Sequence, residues 1–397
     1  MAGEQTVFLL YQVGLLIIVC SIVSGVFKRL NLPGLIGAIL VGLFIGGPGG
    51  LGLVTDLATI NFLAVLGVVL LLFTTGLEFE VSAFWKLGRR AFLLTTIGVL
   101  LSLVCGYGVG LALGLPSNTS FLLGAVISPS GTSVVAALLS SNKLVRTQDG
   151  SALLTACVLD DVEGLIILTV ALSVMASGVL MPVDLLGVSL ISTTFIVGSI
   201  LLGGKLLPRV IVRLEGRLSD ETLFPVLLGL GLVFAFAATS VGLAAVTGAF
   251  IVGAIIPYKP VGENLSQQLV MTKDIFAAVF FASIGLAINP FDIPLLLPMA
   301  VVVLVVAIGA RLGGGLVGGR AAGLHGRILL SSTLGLAVRG EMSLIIAREA
   351  FASGYVGTDF LTLTTIVVIG SIFVVMPLFS KMAQSLSVGQ QEDLRSQ

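Results

Sequence analysis

ACVLDDVEGLIIL, residues 156–168, sets Asp160, Asp161 and Glu163 inside an otherwise apolar run. In a bilayer a helix satisfies all of its own backbone groups, so a buried run of this kind is read as helix. On a helix Asp160 and Asp161 point about 100° apart. Asp160 and Glu163, three positions apart, share a face. Carboxylates this close repel, and burial disfavours the charge on each. Such a pair can take up a proton or, when ionised, attract a cation. A site that holds either, but not both, is the minimal chemistry of exchange. The bland alternative is that all three acids satisfy buried arginines.

The surrounding composition sets these acids in a membrane. The chain has 397 residues, 57% hydrophobic and 10% charged, with mean hydropathy +1.17. A soluble domain has about 45–50% apolar and about 25% charged residues. The apolar residues come in blocks of about 20, the length of a spanning helix, without the period-two alternation of a β-barrel. The reading is an all-α polytopic membrane protein, with the lipid bilayer as its first partner. The 50 glycines suit close helix packing and broken helices. Net charge is zero, and no basic run points to nucleic acid. Cys20, Cys105 and Cys157 fall in apolar blocks and read as small buried hydrophobes. MAGEQTVFLL, residues 1–10, lacks a positive n-region, so no cleaved signal peptide is expected.

Apolar blocks between polar punctuation predict about thirteen helices. They lie near 6–27, 33–47, 57–77, 91–114, 119–140, 150–176, 183–207, 222–240, 243–257, 273–288, 295–318, 328–350 and 356–384; below they are called segments 1 to 13. With the N-terminus outside, seventeen of the 20 basic residues fall in odd-numbered loops or at the C-terminal end, and the even loops hold none. Cytoplasmic loops collect Lys and Arg, so the expected orientation is N-out and C-in. Arg311, Arg339 and Arg348 are left inside predicted helices. Six segments precede segment 7 and six follow it, a layout that fits an inverted repeat.

Segment 5 holds Ser128-Pro129-Ser130-Gly131-Thr132-Ser133 at its middle. Pro removes a backbone donor and Gly adds freedom. Unwinding there would free carbonyls and hydroxyls, the hard oxygens that suit alkali cations. A kinked helix whose hydroxyls bond back to their own backbone is the plain alternative. Segment 12 holds Arg339-Gly340-Glu341 at the matching place in the second half. Arg311 in segment 11 practically never deprotonates and needs a carboxylate, for which Asp160 is the candidate. Asp160, Asp161, Glu163 and Glu341 outnumber Arg311 and Arg339, which favours a cation over an anion. Arg348 and Glu349 are expected to pair at the rim.

At these residues the chain resembles the cation/proton antiporter superfamily, in the branch of NapA-like sodium/proton antiporters and Kef-like potassium transporters. The resemblance covers nearly the whole chain. It rests on the Ser-Pro-Ser break, LDDVEG at 159–164, the basic residue before the glycine-rich stretch after 311, and RGE at 339–341. It implies the NhaA/NapA-like fold, an inverted repeat of thirteen helices with broken, crossing helices 5 and 12. It implies a single membrane domain with a dimerisation part at about 1–85 and 183–290 and a core, or transport, part at about 88–176 and 295–385. Residues 386–397 are expected to be a short cytoplasmic tail. By the resemblance, Asp161 would be the principal ion and proton carrier, with Asp160 beside it held by Arg311. Ser130, Thr132 and the carbonyls of the break would complete a monovalent cation site at Asp161, Asp160 and Ser130. The core would move like an elevator in a homodimer in a prokaryotic inner membrane. No cofactor is expected beyond the transported Na⁺ or K⁺ and H⁺.

Two departures stand out. NapA-like members usually have lysine where Arg311 stands, and an apolar residue where Glu163 stands. The adjacent aspartates look electrogenic and the arginine electroneutral, which leaves the stoichiometry open. Glu163 is expected to pair with Arg339, as a structural counter-charge beside Glu341. The alternative function is a Kef-like K⁺/H⁺ antiporter or K⁺ efflux protein. That group carries a nucleotide-binding domain after the membrane part and tends to have glutamine at the position of Asp160. A channel needs no such charge balance. An intramembrane aspartyl protease needs acids facing each other from separate helices, and a serine protease needs a histidine base, whereas His325 is placed in a loop. The protein is therefore read as a secondary transporter and not as an enzyme.

Overall fold

A computed structural model describes residues 2–46, 49–77, 81–142, 144–145, 147–178, 187, 190, 194, 197–199, 203–204, 209, 220–240, 243–256 and 262–395. Among them are fourteen α-helices and one short 3₁₀ turn, Pro290–Asp292. Eight helical stretches are long and apolar enough to cross a membrane. Apart from isolated positions, segment 7 lies outside the described residues. The chain divides into two compact units, Met1–Leu30 with Gly34–Val81 and Pro182–Pro290, and Asn31–Pro33 with Ser82–Met181 and Phe291–Gln397.

The first unit contains α1 (Ala2–Arg29), α2 (Gly34–Ile45), α3 (Leu57–Leu77), α8 (Asp220–Ser240), α9 (Ala245–Ile255) and α10 (Gly262–Ala287). Paired glycines set its helix spacing. A Cβ on Gly76 would lie 2.2 Å from the carbonyl oxygen of Phe250, and one on Gly253 would lie 2.1 Å from that of Phe73. The backbones of α3 and α9 are thus in contact, a packing that only small residues permit. Phe73, Leu223, Leu227 and Val252 fill the core beside this seam.

The second unit contains α4 (Val81–Ala112), α5 (Ser117–Ile127), α6 (Thr132–Ser141), α7 (Gln148–Ser177), α11 (Ile293–Ala321), α12 (Gly326–Gly335), α13 (Glu341–Ala352) and α14 (Thr358–Arg395). Segments 5 and 12 each come as two helices, α5 with α6 and α12 with α13. Pro129 has no N–H to continue the ladder, and the Ser128 hydroxyl bonds back to the Gly124 carbonyl at 2.6 Å. The two interruptions lie against each other. The Gly131 N–H donates to the Val338 carbonyl at 3.0 Å, and a Cβ on Gly340 would fall 2.4 Å from Cα of Gly131. Helix α7 runs unbroken through the acids. Thr147 caps its start by accepting the Gly150 N–H at 3.1 Å, and Gly178, at φ +70°, ends it in the left-handed region that favours glycine.

Several helices outlast their apolar blocks. The tail expected at 386–397 is largely the end of α14, which continues to Arg395. Hydropathy marks where a segment leaves apolar surroundings, whereas helix ends are set by backbone partners.

Candidate ion site

Helix α7 carries both aspartates to the interruption between α5 and α6. Asp160 has no solvent exposure. Its Oδ1 accepts from Nη2 of Arg311 at 2.6 Å, and its Oδ2 accepts the backbone N–H of Ser130. Nη1 of Arg311 donates to the Ser128 carbonyl at 3.1 Å. Asp161 is 5% exposed, and its Oδ2 accepts from the Thr132 hydroxyl at 2.8 Å. The Ser130 hydroxyl is buried with no hydrogen-bond partner among the described residues. Asp160, Asp161, Ser130 and Thr132, separated by up to 31 positions in sequence, are therefore brought together around one break.

Half-helix dipoles shape the charge here. The C-terminal end of α5 exposes carbonyls, the negative pole of a helix. Arg339, fully buried, donates through Nη1 to the Ser128 and Pro129 carbonyls, both at 3.0 Å, and through Nη2 to the Ala307 carbonyl at 2.6 Å. Arg311 adds its own bond to Ser128. Two guanidinium groups thus cover the end of α5. The N-terminal end of α6, the positive pole, meets Glu341. Its Oε1 accepts the Ser133 N–H and its Oε2 the Ser133 hydroxyl, both at 2.7 Å. The site can therefore hold a carboxylate's charge without leaving either helix end bare.

Residues 14–381 match the family model described as "Sodium/hydrogen exchanger, transmembrane". The chain belongs to this sodium/hydrogen exchanger family. The exchanger is 28% identical over 371 residues to the Na(+)/H(+)-K(+) antiporter GerN of Bacillus cereus, across 93% of this chain and 94% of that protein. It is 26% identical over 361 residues to the K(+)/H(+) antiporter subunit KhtU of Bacillus subtilis, across 88% of each. Its fold is similar to that of the sodium proton antiporter MjNhaP1 from Methanocaldococcus jannaschii, with a TM-score of 0.76, 18% identity and coverage of 96% and 99%. It is a multi-pass membrane protein of a transporter family.

One expected pairing in the exchanger is corrected by the structure. Glu163 does not meet Arg339. Its Oε1 accepts from the hydroxyls of Thr95, at 3.1 Å, and of Thr96 on α4. The face of α7 that carries Glu163 packs on α4, and Arg339 is engaged by carbonyls. A guanidinium has five donors and no need for a carboxylate partner when carbonyls converge on it. Sequence reasoning also missed Thr95 and Thr96, which were visible as adjacent hydroxyls in an apolar block. Ser371, whose hydroxyl accepts the Arg339 N–H at 2.9 Å, had no such signal. Arg348 is buried in α13, with its guanidinium 5.5 Å from the ring centre of Phe351.

Proposed function

We propose that the exchanger swaps a monovalent cation, Na⁺ or its congeners Li⁺ and K⁺, for H⁺ by alternating access, with Asp161 as the residue that trades one for the other. The observation that carries this reading is the hydroxyl of the break that bonds to Asp161. Asp160 is tied to a guanidinium and a backbone amide, and the hydroxyl of Thr132 reaches Asp161. A hydroxyl has its own lone pairs, so it can bond to either protonation state of a carboxyl and can ligate a cation. Ser130 and the carbonyls of the break would supply the remaining hard oxygens.

The second unit would be the moving transport part and the first the dimerisation part of a homodimer, set N-out and C-in in a prokaryotic inner membrane. The names of GerN and KhtU, which both include K⁺, support keeping a K⁺/H⁺ exchanger as the second reading. The test is reconstitution with an imposed pH gradient and addition of Na⁺, Li⁺ or K⁺ in turn. Cation-dependent proton movement is expected, and Asp161→Asn should abolish it while leaving a folded protein. Retained coupled transport in that variant would remove Asp161 from the role, and the order of the three cations decides between the readings.

A further inference from the structure

Arg311 lies under a glycine of the neighbouring helix. A Cβ placed on Gly98 of α4 would sit 3.3 Å from Cζ, Nε and Nη1 of Arg311, and these are the three nearest atoms to it. That is tighter than nine in ten real Cβ contacts. The helices themselves have little room to give. A Cβ on Gly314 would fall 2.7 Å from Cα of Gly98, and one on Gly318 would fall 2.3 Å from the Leu93 carbonyl oxygen. The backbones of α4 and α11 already touch about one and two turns beyond Arg311. A side chain at 98 would therefore have to displace the guanidinium and not the helix.

That displacement matters because the guanidinium is a rigid planar fork. Its Nη1 and Nη2 are committed to the Ser128 carbonyl and to Asp160, so a shift of one is a shift of both. Its Nε is buried with no hydrogen-bond partner among the described residues. A lysine carries one ammonium on a flexible stem. It could reach Asp160 with no atom where Cζ and Nη1 now lie.

We propose that Gly98 is a positioning residue matched to Arg311: its missing side chain is the niche that lets a guanidinium, in place of an ammonium, bridge Asp160 and the end of α5. The proposal rests on the placing of Asp160 and Arg311 in the exchange site.

The test is a two-by-two set of wild type, Gly98→Ala, Arg311→Lys and the double variant. Exchange in proteoliposomes gives the apparent KM for Na⁺, and detergent-solubilised protein gives the unfolding temperature. With Arg311 present, Gly98→Ala is expected to raise KM by about threefold to tenfold, the range of contacting pairs. In the lysine background the same change should alter KM by less than about twofold. Gly98→Val should deepen the loss only beside arginine. An equal penalty in both backgrounds, or wild-type behaviour of Gly98→Ala, would overturn the proposal in favour of plain helix packing. If Gly98→Ala does not fold, a folded double variant supports the match and an unfolded one overturns it. If Arg311→Lys carries no flux, the same cycle is read on unfolding temperatures. Those temperatures also separate this proposal from the site reading, since failure of Asp161 in its role would leave the Gly98–Arg311 coupling unchanged.

Discussion

Asp160 and Arg311 meet at 2.6 Å with side chains 0% and 1% exposed. A pair this dry is held together by geometry more than by charge alone. Desolvation offsets much of the attraction, and the surplus comes from the additional bonds each partner makes. The Ser130 N–H and the Ser128 carbonyl supply those bonds here. Glu163 has a different solution, two threonine hydroxyls and no basic partner among the described residues. Thr95 can also bond back to the carbonyls of Ala91 and Phe92, at 3.1 and 3.3 Å. Among the described residues, the Thr96 hydroxyl donates to Glu163 alone. Glu163→Leu should therefore cost about 1–3 kcal/mol by stranding the Thr96 hydroxyl. Glu163→Gln, which keeps an acceptor oxygen, should cost less than about 1 kcal/mol. Unfolding of the purified protein in detergent measures both. Equal losses for the two would show that the oxygen is not what Thr96 needs.

At the scale of elements, two interrupted segments present four helix ends inside the second unit. Those ends carry partial charges that a bilayer interior would not tolerate bare. The end of α5 is covered by guanidinium groups and the start of α6 by Glu341. Glu341→Ala should remove the cap of α6 and cost about 1–2 kcal/mol. Ser133→Ala keeps the amide bond to Glu341 and should cost less. Both are read as shifts in unfolding temperature, and a larger loss for Ser133→Ala would refute the capping role. The break at Pro129 was visible in sequence as a run of residues that weaken or redirect a helix. The acids of α7 were visible as charges in an apolar block. Asp160 was also readable as the carboxylate that Arg311 needs, but the partners of Arg339, Glu163 and Glu341 were not. Period and composition give a face and a depth along one helix, whereas Ser133 and Glu341 are 208 positions apart and Arg339 and Ser128 are 211 apart. The number of candidate pairs at such separations is large, and a carbonyl can replace a carboxylate without any trace in the side-chain pattern.

For the whole molecule, the proposed orientation rests on loop charges. Lys and Arg resist translocation, so the loops that carry them stay in the cytoplasm. In a background with Cys20, Cys105 and Cys157 replaced, Arg320→Cys is expected to react with an impermeant thiol reagent only from the cytoplasmic side, and Ser353→Cys only from outside. Both positions are exposed. The opposite labelling pattern would reverse the proposed N-out, C-in arrangement. By itself the sequence determined the membrane class, the approximate spans, the acids on α7 and the weak points of segments 5 and 12. Each follows from local physics, namely the cost of moving a given stretch of chain into lipid and the backbone rules of proline and glycine. Tertiary structure alone decided that Arg339 serves carbonyls, that Glu163 turns to Thr95 and Thr96, and that Gly98 roofs Arg311. Those outcomes depend on how closely distant backbones approach, and a difference of a few tenths of an ångström between helices has no signature along a single chain.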